Sequence, residues 1–275
     1  MSKIERKLDL SIIIVNYNTE KKALRCLDSI LKSDLENINY EVIIVDNNSK
    51  ENLKNFLEKE FTAERIKIIH SEKNLGMGGG NNLGIERSNG KLILILNPDT
   101  IVKKGAIKAL YNFILSREDL GIVGPKILNP NGSVQNSCFR EWTFWMPLYR
   151  RTFLGKIKQK QVDHFLMRDF DHESEREVDW LMGSCLVMRR AILERHNLGF
   201  DERFFMYFED ADLCRAIRKL GYKVVYYPEA EIIHDHQRAS SHGFWFLAPF
   251  LNPLTRAHIQ SWFKYFWKWS RGNNF

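Results

Sequence analysis

The hydrophobic residues in the first hundred positions are grouped in short runs that lack the polar alternation of a half-exposed strand. Such runs lie at 11–15, 41–45 and 91–96, and the last is the most apolar. Runs of this kind are typical of strands buried on both faces of a sheet. A further strand is predicted at 65–69 from its isoleucine content.

Between these runs, apolar residues recur at helical spacing. Residues 20–33 carry such a stripe, residues 51–60 form a second amphipathic stretch, and a glycine-rich turn at 76–80 leads into a helix from about 81 to 88. Strands that alternate with helices indicate a doubly wound sheet. The predicted fold class is α/β, with a Rossmann-like, mostly parallel sheet and helices on both faces.

The pattern is less regular after about residue 120. It predicts strands at 121–128, 178–188 (interrupted at Gly183), 223–227 and 230–234, and a helix at 210–220. No break in composition marks a boundary before about residue 243. We therefore predict one domain over 1–243, with halves at about 10–120 and 121–243, and a C-terminal amphipathic helix within 244–275.

The composition is that of a globular protein. The chain has 275 residues, of which 44% are hydrophobic and 27% charged, so wholesale disorder is excluded. Its four cysteines include no CxxC pair, which argues against a disulfide framework and a cysteine zinc site. The sequence shows neither a signal peptide nor an apolar run of membrane-spanning length. We expect a cytoplasmic protein, with or without peripheral attachment at the inner face of the plasma membrane.

The net charge of +7 is concentrated near the C-terminus, because Asp235 is the last acidic residue and five basic residues follow it. Nucleic acid, an anionic membrane or a phosphorylated substrate would each suit such charge. Here Ile259, Trp262, Phe263 and Phe266 have helical spacing, and lysines lie on another side. This favours an anionic membrane surface, and a helix packed on the domain is the alternative. No nucleic-acid module accompanies the charge.

Polar residues follow three of the predicted strands, at 16–19, 46–49 and 97–100. Ligands of doubly wound sheets bind beyond the carboxyl ends of the strands. Tyr17 could stack on a nucleobase, and Asp46 could accept a hydrogen bond from a base or a ribose. An ordinary loop aromatic and a helix N-cap are the alternatives for these two residues.

Six segments taken together resemble family 2 glycosyltransferases, most closely their rhamnosyltransferase-like branch. They are residues 13–18, 44–49, 76–82, 96–100, 208–212 and 233–234, which occur in the family's order and approximate spacing. The resemblance covers about residues 10–270. It implies a GT-A fold, a nucleotide-diphosphate sugar as donor, and a C-terminal half that shapes the acceptor site.

The resemblance also implies roles on the donor side. The residues it places at the nucleotide-sugar are Asn16, Tyr17, Asn18, Asp46, Asn74, Gly76, Asn82, Asn97, Asp99, Arg238 and Ser240. Asp99, with His234, would hold a divalent cation, Mg²⁺ or Mn²⁺, against the leaving diphosphate. Asn97 replaces the first aspartate of the family's DxD motif, so the requirement for metal is expected to be loose. Asn74 and Asn82 are also ordinary turn and cap residues.

On the acceptor side, the resemblance makes Asp210 the catalytic base, with Glu209 and Asp212 in support. Trp180, Met182, Gly183 and Ser184 match the segment that borders the acceptor pocket. Acidic residues are favoured in the first turn of any helix, and a tryptophan such as Trp180 is as often core.

The resulting hypothesis is an inverting glycosyltransferase. It would transfer L-rhamnose from dTDP-L-rhamnose to a glycan or lipid-linked hydroxyl in cell-surface polysaccharide synthesis. The alternatives are a transferase that uses a UDP- or GDP-sugar and a non-catalytic, membrane-associated nucleotide-sugar-binding protein. A sugar nucleotidyltransferase would need a glycine-rich loop after the first strand, where Asn16–Thr19 stand instead.

Overall fold

A computed structural model describes residues 8–51, 65–235 and 252–270. Most of the helix predicted at 51–60 lies outside these residues, as do Arg238 and Ser240. Within them the strands are β1 (Leu10–Asn16), β2 (Tyr40–Asp46), β3 (Ile66–His70), β4 (Leu92–Leu96), β5 (Thr100–Val102), β6 (Leu120–Leu128), β7 (Val134–Gln135), β8 (Cys138–Phe139), β9 (Arg176–Glu177), β10 (Trp180–Leu181), β11 (Cys185–Arg189) and β12 (Lys223–His234).

The main sheet has the strand order β3-β2-β1-β4-β11-β6-β12-β5, with β7 paired to β6 and β9 to β12. Strands β1 to β4 are parallel to one another, and β6 is parallel to β12. Strand β11 is inserted antiparallel between β4 and β6. Strands β8 and β10 form a separate small sheet. The predicted α/β fold with a mostly parallel sheet is therefore confirmed.

Helices cover both faces of this sheet. They are α1 (Glu20–Leu31), α2 (Gly76–Glu86), α3 (Ala106–Ser116), α4 (Met146–Tyr149), α5 (Leu154–Ile157), α6 (Gln159–Phe165), α7 (Arg190–Arg195), α8 (Glu209–Lys219) and α9 (Pro253–Ser270). Alternate residues of each buried strand enter opposite cores, as the twofold strand repeat requires. Ile13 and Val15 join one core, and Ile12 and Ile14 join the other.

Two predicted elements differ from the structure. Helix α2 begins at Gly76, so residues 76–80 are its first turns and not a turn that precedes it. The two strands predicted at 223–227 and 230–234 are one continuous strand, β12, whose register with β6 shifts between Tyr227 and Glu231. A local irregularity of pairing therefore looked like a strand boundary in the sequence.

None of the helices in the described part of the chain combines the length and the hydropathy needed to cross a membrane.

Candidate functional site

Three polar side chains lie in a row where β1, β2 and β3 end. The parallel register pairs Asn16 with Asp46 and Asp46 with His70. The buried Asp46 carboxylate accepts a hydrogen bond from the Ser49 backbone N–H at 3.2 Å and lies 3.1 Å from His70 Nδ1. His70 escaped the sequence analysis, although its place in register beside Asp46 is a consequence of two adjacent parallel strands.

The three residues at the end of β1 and in the loop after it that were predicted to contact the nucleotide-sugar differ in their surroundings. Asn16 is buried, and its amide donates to Ser49 Oγ at 3.0 Å while its oxygen accepts from the Thr19 hydroxyl at 2.8 Å. Asn18 accepts from the Lys50 backbone N–H. The Tyr17 ring, in contrast, is 47% exposed. Asn16 and Asn18 therefore shape the loop that presents Tyr17.

The glycines of α2 permit close packing. A Cβ atom on Gly80 would lie 2.8 Å from Val15 Cγ1, and one on Gly76 would lie 2.0 Å from the carbonyl oxygen of Phe205. Gly76 has a φ of +75°, and its backbone N–H donates a hydrogen bond to Asn74 Oδ1 at 2.9 Å. These contacts seat the segment before α8 on the start of α2.

Asn82 also contacts this segment. Its side chain accepts from the Phe200 N–H at 2.9 Å and donates to the Phe200 carbonyl at 2.7 Å. Asn74, Gly76 and Asn82 thus have structural partners, and their assignment to the nucleotide-sugar stays a prediction.

Asp99 and His234 come together as predicted. His234 Nε2, on β12, lies 3.2 Å from Asp99 Oδ1, and the imidazole is almost completely buried. Lys22 Nζ lies 3.9 Å from Asp99 Oδ2. Burial raises the pKa of Asp99, but the hydrogen bond and charge of His234 and the charge of Lys22 outweigh it, so the pKa is lowered.

Gln135 sets the tautomer of His234, and the sequence analysis missed it. The Gln135 amide nitrogen donates to Asn129 Oδ1 at 2.9 Å, so its oxygen faces His234 Nδ1 at 2.8 Å. Nδ1 must therefore carry a proton. Nε2 and the Asp99 carboxylate then face each other as two acceptors, unless a proton or a cation lies between them.

The described residues contain no cluster of three or more histidine, cysteine or acidic side chains that could hold a metal ion. One carboxylate and one imidazole nevertheless suit a cation that keeps several waters and arrives with substrate phosphates. Within the described chain, Asn97 Oδ1 and Ser184 Oγ are buried and lack hydrogen-bond partners. Such atoms close to Asp99 fit a site completed by a ligand.

Asp210 lies at the start of α8, where its carboxylate accepts two backbone hydrogen bonds. Gly183 N–H donates to Oδ2 at 2.9 Å, and Ala211 N–H donates to Oδ1 at 2.8 Å. The two residues before the helix, Tyr207 and Phe208, both have a φ of +70°. Non-glycine residues are strained there, and such strain is common at functional sites.

The pKa values of the adjacent carboxyl groups are raised. Burial, followed by the charge of Asp210, raises the pKa of Glu209 from 4.5 to about 8. Burial also raises the pKa of Asp210, although the N–H groups of Gly183 and Ala211 oppose this. Two adjacent buried carboxyl groups resist simultaneous ionisation, because each charge raises the free energy of the other.

Asp212 has other partners. Lys268 Nζ lies 2.6 Å from its Oδ2, and Trp269 Nε1 donates to its Oδ1 at 2.9 Å. Both partners belong to α9. These two contacts attach α9 to the domain, and the support of the catalytic base by Asp212 stays a prediction.

The four predicted acceptor-side residues divide in two pairs. Trp180 is buried, stacks on Phe139 at 4.2 Å and donates from its indole to the Arg140 carbonyl, so it belongs to the core. Met182 is half-buried beside that core. Gly183 contacts Asp210, and the Ser184 carbonyl accepts from the Asn97 N–H at 3.0 Å. Gly183 and Ser184 therefore connect the Asp210 site to the Asp99 site.

Helix α9 packs on the domain, and Trp262 and Phe266 of its predicted apolar stripe lie against the core. Tyr265 and Ser261 are buried, whereas Phe263, predicted on the apolar stripe, is 54% exposed. The lysines predicted to face a membrane bind the domain instead: Lys264 donates to the Arg203 carbonyl, and Lys268 contacts Asp201 and Asp212. The carboxylates of Asp201 and Asp212 attract Lys268, which the periodicity of α9 alone does not reveal.

Known proteins are similar to this chain in sequence and in architecture. Residues 8–248 match "Glycosyltransferase like family 2". An N-acetylglucosaminyl-diphospho-decaprenol L-rhamnosyltransferase of Mycobacterium tuberculosis is 29% identical over 238 residues, which are 82% of this chain and 75% of the relative. Rhamnosyltransferase WbbL of Escherichia coli is 27% identical over 92% of this chain and 91% of its own length.

Solved structures share the fold at low identity. GalNAc-T7 with UDP, GalNAc and Mn²⁺ has a TM-score of 0.64 and 18% identity, over 84% of this chain and 44% of that one. The mannosyltransferase of Pyrobaculum calidifontis with GDP-Man and Mn²⁺ has a TM-score of 0.60 and 15% identity, over 88% and 62%. The chain belongs to glycosyltransferase-like family 2, in its rhamnosyltransferase-like branch, and is an enzyme of the transferase class with a GT-A fold.

Proposed function

We propose that the enzyme transfers L-rhamnose from dTDP-L-rhamnose, with inversion, to a hydroxyl of a glycan or lipid-linked acceptor in cell-surface polysaccharide synthesis. The connection from Asp210 through Gly183 and Ser184 to Asn97 carries this proposal, because it joins a base to a diphosphate site. The names of the two rhamnosyltransferase relatives support the sugar, and the mycobacterial name supports a diphosphate-linked lipid acceptor.

Asp210 is the base in this proposal. Its two backbone hydrogen bonds fix the carboxylate, and no lysine or arginine in the described part of the chain pairs with it, so the charge remains available to accept the proton of the acceptor hydroxyl. The hydroxyl oxygen then attacks the anomeric carbon on the face opposite the diphosphate, which leaves. Burial raises the pKa of Asp210. On acidification the rate should therefore begin to fall at a pH above the range in which an exposed aspartate titrates.

Asp99 and His234 would hold a divalent cation, Mg²⁺ or Mn²⁺, which supplies positive charge to the leaving diphosphate. Gln135 holds the imidazole in the tautomer that leaves Nε2 toward Asp99. Tyr17, Asp46 and His70 lie at neighbouring strand ends, and we assign the nucleoside to them. The solved structures with Mn²⁺ and a nucleotide or nucleotide-sugar support this arrangement.

Saturation-transfer NMR with a panel of nucleotide-sugars, with and without Mg²⁺, tests the donor. Selective binding of dTDP-rhamnose that metal strengthens and Asp99→Ala weakens is the expected result. A preference for a UDP- or GDP-sugar would contradict the rhamnose donor and keep the transferase. Binding without any hydrolysis or transfer would favour the non-catalytic alternative.

A further inference from the structure

Six large apolar side chains are exposed on two segments, one around α4 and α5 and the other on α9, and we call them the aromatic patch. They are Phe144 (37% exposed), Trp145 (54%), Phe153 (67%), Ile157 (68%), Phe263 (54%) and Trp267 (60%). Four come from the turns around α4 and α5, and two from the outer side of α9. Single exposed apolar residues are normal, but a concentration of this size marks an interaction surface.

Phe144 joins the two segments. Its ring centroid lies 5.2 Å from that of Trp145 and 6.2 Å from that of Phe263. The indole N–H of Trp262 also donates to the Phe144 carbonyl at 2.9 Å. Phe263 and Trp267 are four residues apart on α9 and so lie on the same side of that helix. The patch therefore extends from α4 onto α9.

Positive charge accompanies the patch. Residues 142–162 contain five basic residues and no acidic residue, and α9 also has no acidic residue. Lys156, Lys158 and Lys160 are exposed. The basic character of this face thus comes from residues 150–160, because Lys264 and Lys268 bind the domain.

The patch also lies next to the proposed catalytic base. Trp142, two residues before Phe144, packs against Phe208 with a centroid distance of 4.9 Å. Phe208 directly precedes Glu209 and Asp210. A buried aromatic pair therefore links the segment that carries the patch to the segment that carries the proposed base.

We propose that the aromatic patch and its basic rim dock the enzyme on an anionic lipid bilayer. Exposed tryptophan and phenylalanine partition into the headgroup region, and lysines and arginines attract anionic headgroups. A second copy of the chain is disfavoured because it would bring the same five positive charges face to face. This inference rests on the proposed function only through the lipid-linked acceptor.

Vesicle co-sedimentation tests the proposal without donor or acceptor. Wild-type enzyme is mixed with vesicles of neutral phosphatidylcholine or of phosphatidylcholine with 30% phosphatidylglycerol, a composition chosen for surface charge near that of natural anionic leaflets. We expect binding to the anionic vesicles, weaker binding to the neutral ones, and a decline with added salt. Absence of binding to both compositions would overturn the proposal.

Two variants separate the two contributions. Trp145→Ser/Phe153→Ser/Ile157→Ser removes the apolar one, and Lys156→Gln/Lys158→Gln/Lys160→Gln removes the charged one. Each is expected to weaken binding to anionic vesicles at least about tenfold, because one loses the side chains that enter the headgroup region and the other loses the charges that attract anionic headgroups. Arg87→Gln/Lys104→Gln/Arg195→Gln removes as many exposed charges outside the patch and should bind like the wild type.

Equal losses in this control and in the lysine variant would reduce the effect to net charge and contradict a docking surface. A concentration-dependent dimer that the serine variant abolishes would identify a second copy as the occupant instead. Transfer to a short, water-soluble acceptor should be unchanged in the serine variant. If the wild type itself shows no transfer to this acceptor, the result counts against the proposed function, and the conclusion from vesicle binding is unaffected.

Discussion

Two carboxylates in the first turn of helix α8 have different surroundings. Asp210 accepts hydrogen bonds from the backbone N–H groups of Gly183 and Ala211. Asp212, two residues later, contacts the ammonium group of Lys268 and the indole of Trp269. Neutral dipoles orient the first carboxylate, whereas a full positive charge neutralises the second.

This difference is the basis of our proposal that Asp210 is the base. Neighbouring N–H dipoles fix Asp210, and no lysine or arginine of the described residues forms an ion pair with it, so we propose that its negative charge accepts the proton of an acceptor hydroxyl. Asp212 is buried and ion-paired, and removal of one partner of such a pair leaves an uncompensated charge. We therefore assign chemistry to Asp210 and the attachment of α9 to Asp212.

The largest expected effect comes from Asp210→Asn. The amide keeps the size of the side chain but cannot accept the proton, so we expect kcat to fall by about 10²–10⁴-fold. Donor binding, measured by saturation-transfer NMR, should be nearly unchanged. Near-full transfer by this variant would show that Asp210 is not the base.

Gln135→Leu extends the comparison to Asp99, whose partner is an imidazole. Loss of the acceptor for His234 Nδ1 frees the tautomer, and we expect Mn²⁺ affinity in the presence of dTDP to fall about 10–100-fold. Mn²⁺ titration followed by electron paramagnetic resonance measures this. Gln135→Glu, which still accepts from Nδ1, is the matched control, and equal affinities in all three proteins would contradict the role of Gln135.

Asp212→Asn should affect stability more than rate. It leaves Lys268 with one carboxylate, Asp201, in place of two, and we expect a loss of about 1–3 kcal/mol in the free energy of unfolding. Thermal unfolding checks the stability, and a transfer assay on the folded protein checks kcat. A fall in kcat as large as that of Asp210→Asn would instead support the predicted catalytic role of Asp212.

Glu209→Gln should change the pH dependence of stability. The pKa of Glu209 is raised from 4.5 to about 8 in the folded state, so the folded chain binds more protons than the unfolded chain between these values. The stabilisation is present below about pH 4.5 and is lost as pH rises toward 8, by up to about 1 kcal/mol for each pH unit. Melting temperatures between pH 5 and pH 8 should fall less in the variant, and parallel curves would contradict the raised pKa.

The donor side could be predicted largely from the sequence. The buried strands are local apolar runs, and parallel pairing places their carboxyl ends at one edge, which is why Asp46 and Asp99 stand at strand ends. His70 could have been found by the same reasoning. Gln135 could not, because its contact with His234 joins positions 99 residues apart in the chain.

The acceptor side depends more on tertiary contacts. The segment around Phe205 in this half contacts the glycines of α2, which belong to the donor-side half and resemble a phosphate-binding turn in the sequence. Only the approach of Phe205 and Val15 shows that these glycines permit close packing. The face of α9 toward the domain combines Trp262 and Phe266 of the apolar stripe with polar contacts to Asp201, Asp212 and Glu141, and Tyr265 donates to Glu141 at 2.6 Å. Periodicity describes one helix, whereas these contacts depend on its neighbours.

The anomeric configuration of the product tests the central claim most directly. The enzyme is incubated with dTDP-rhamnose and a diphosphate-linked lipid acceptor, and the new glycosidic linkage is assigned by NMR. A single base at Asp210 that activates the acceptor predicts a rhamnoside whose anomeric configuration is opposite to that of the donor. A product with the donor's configuration would contradict the account, because it requires a mechanism other than one direct displacement.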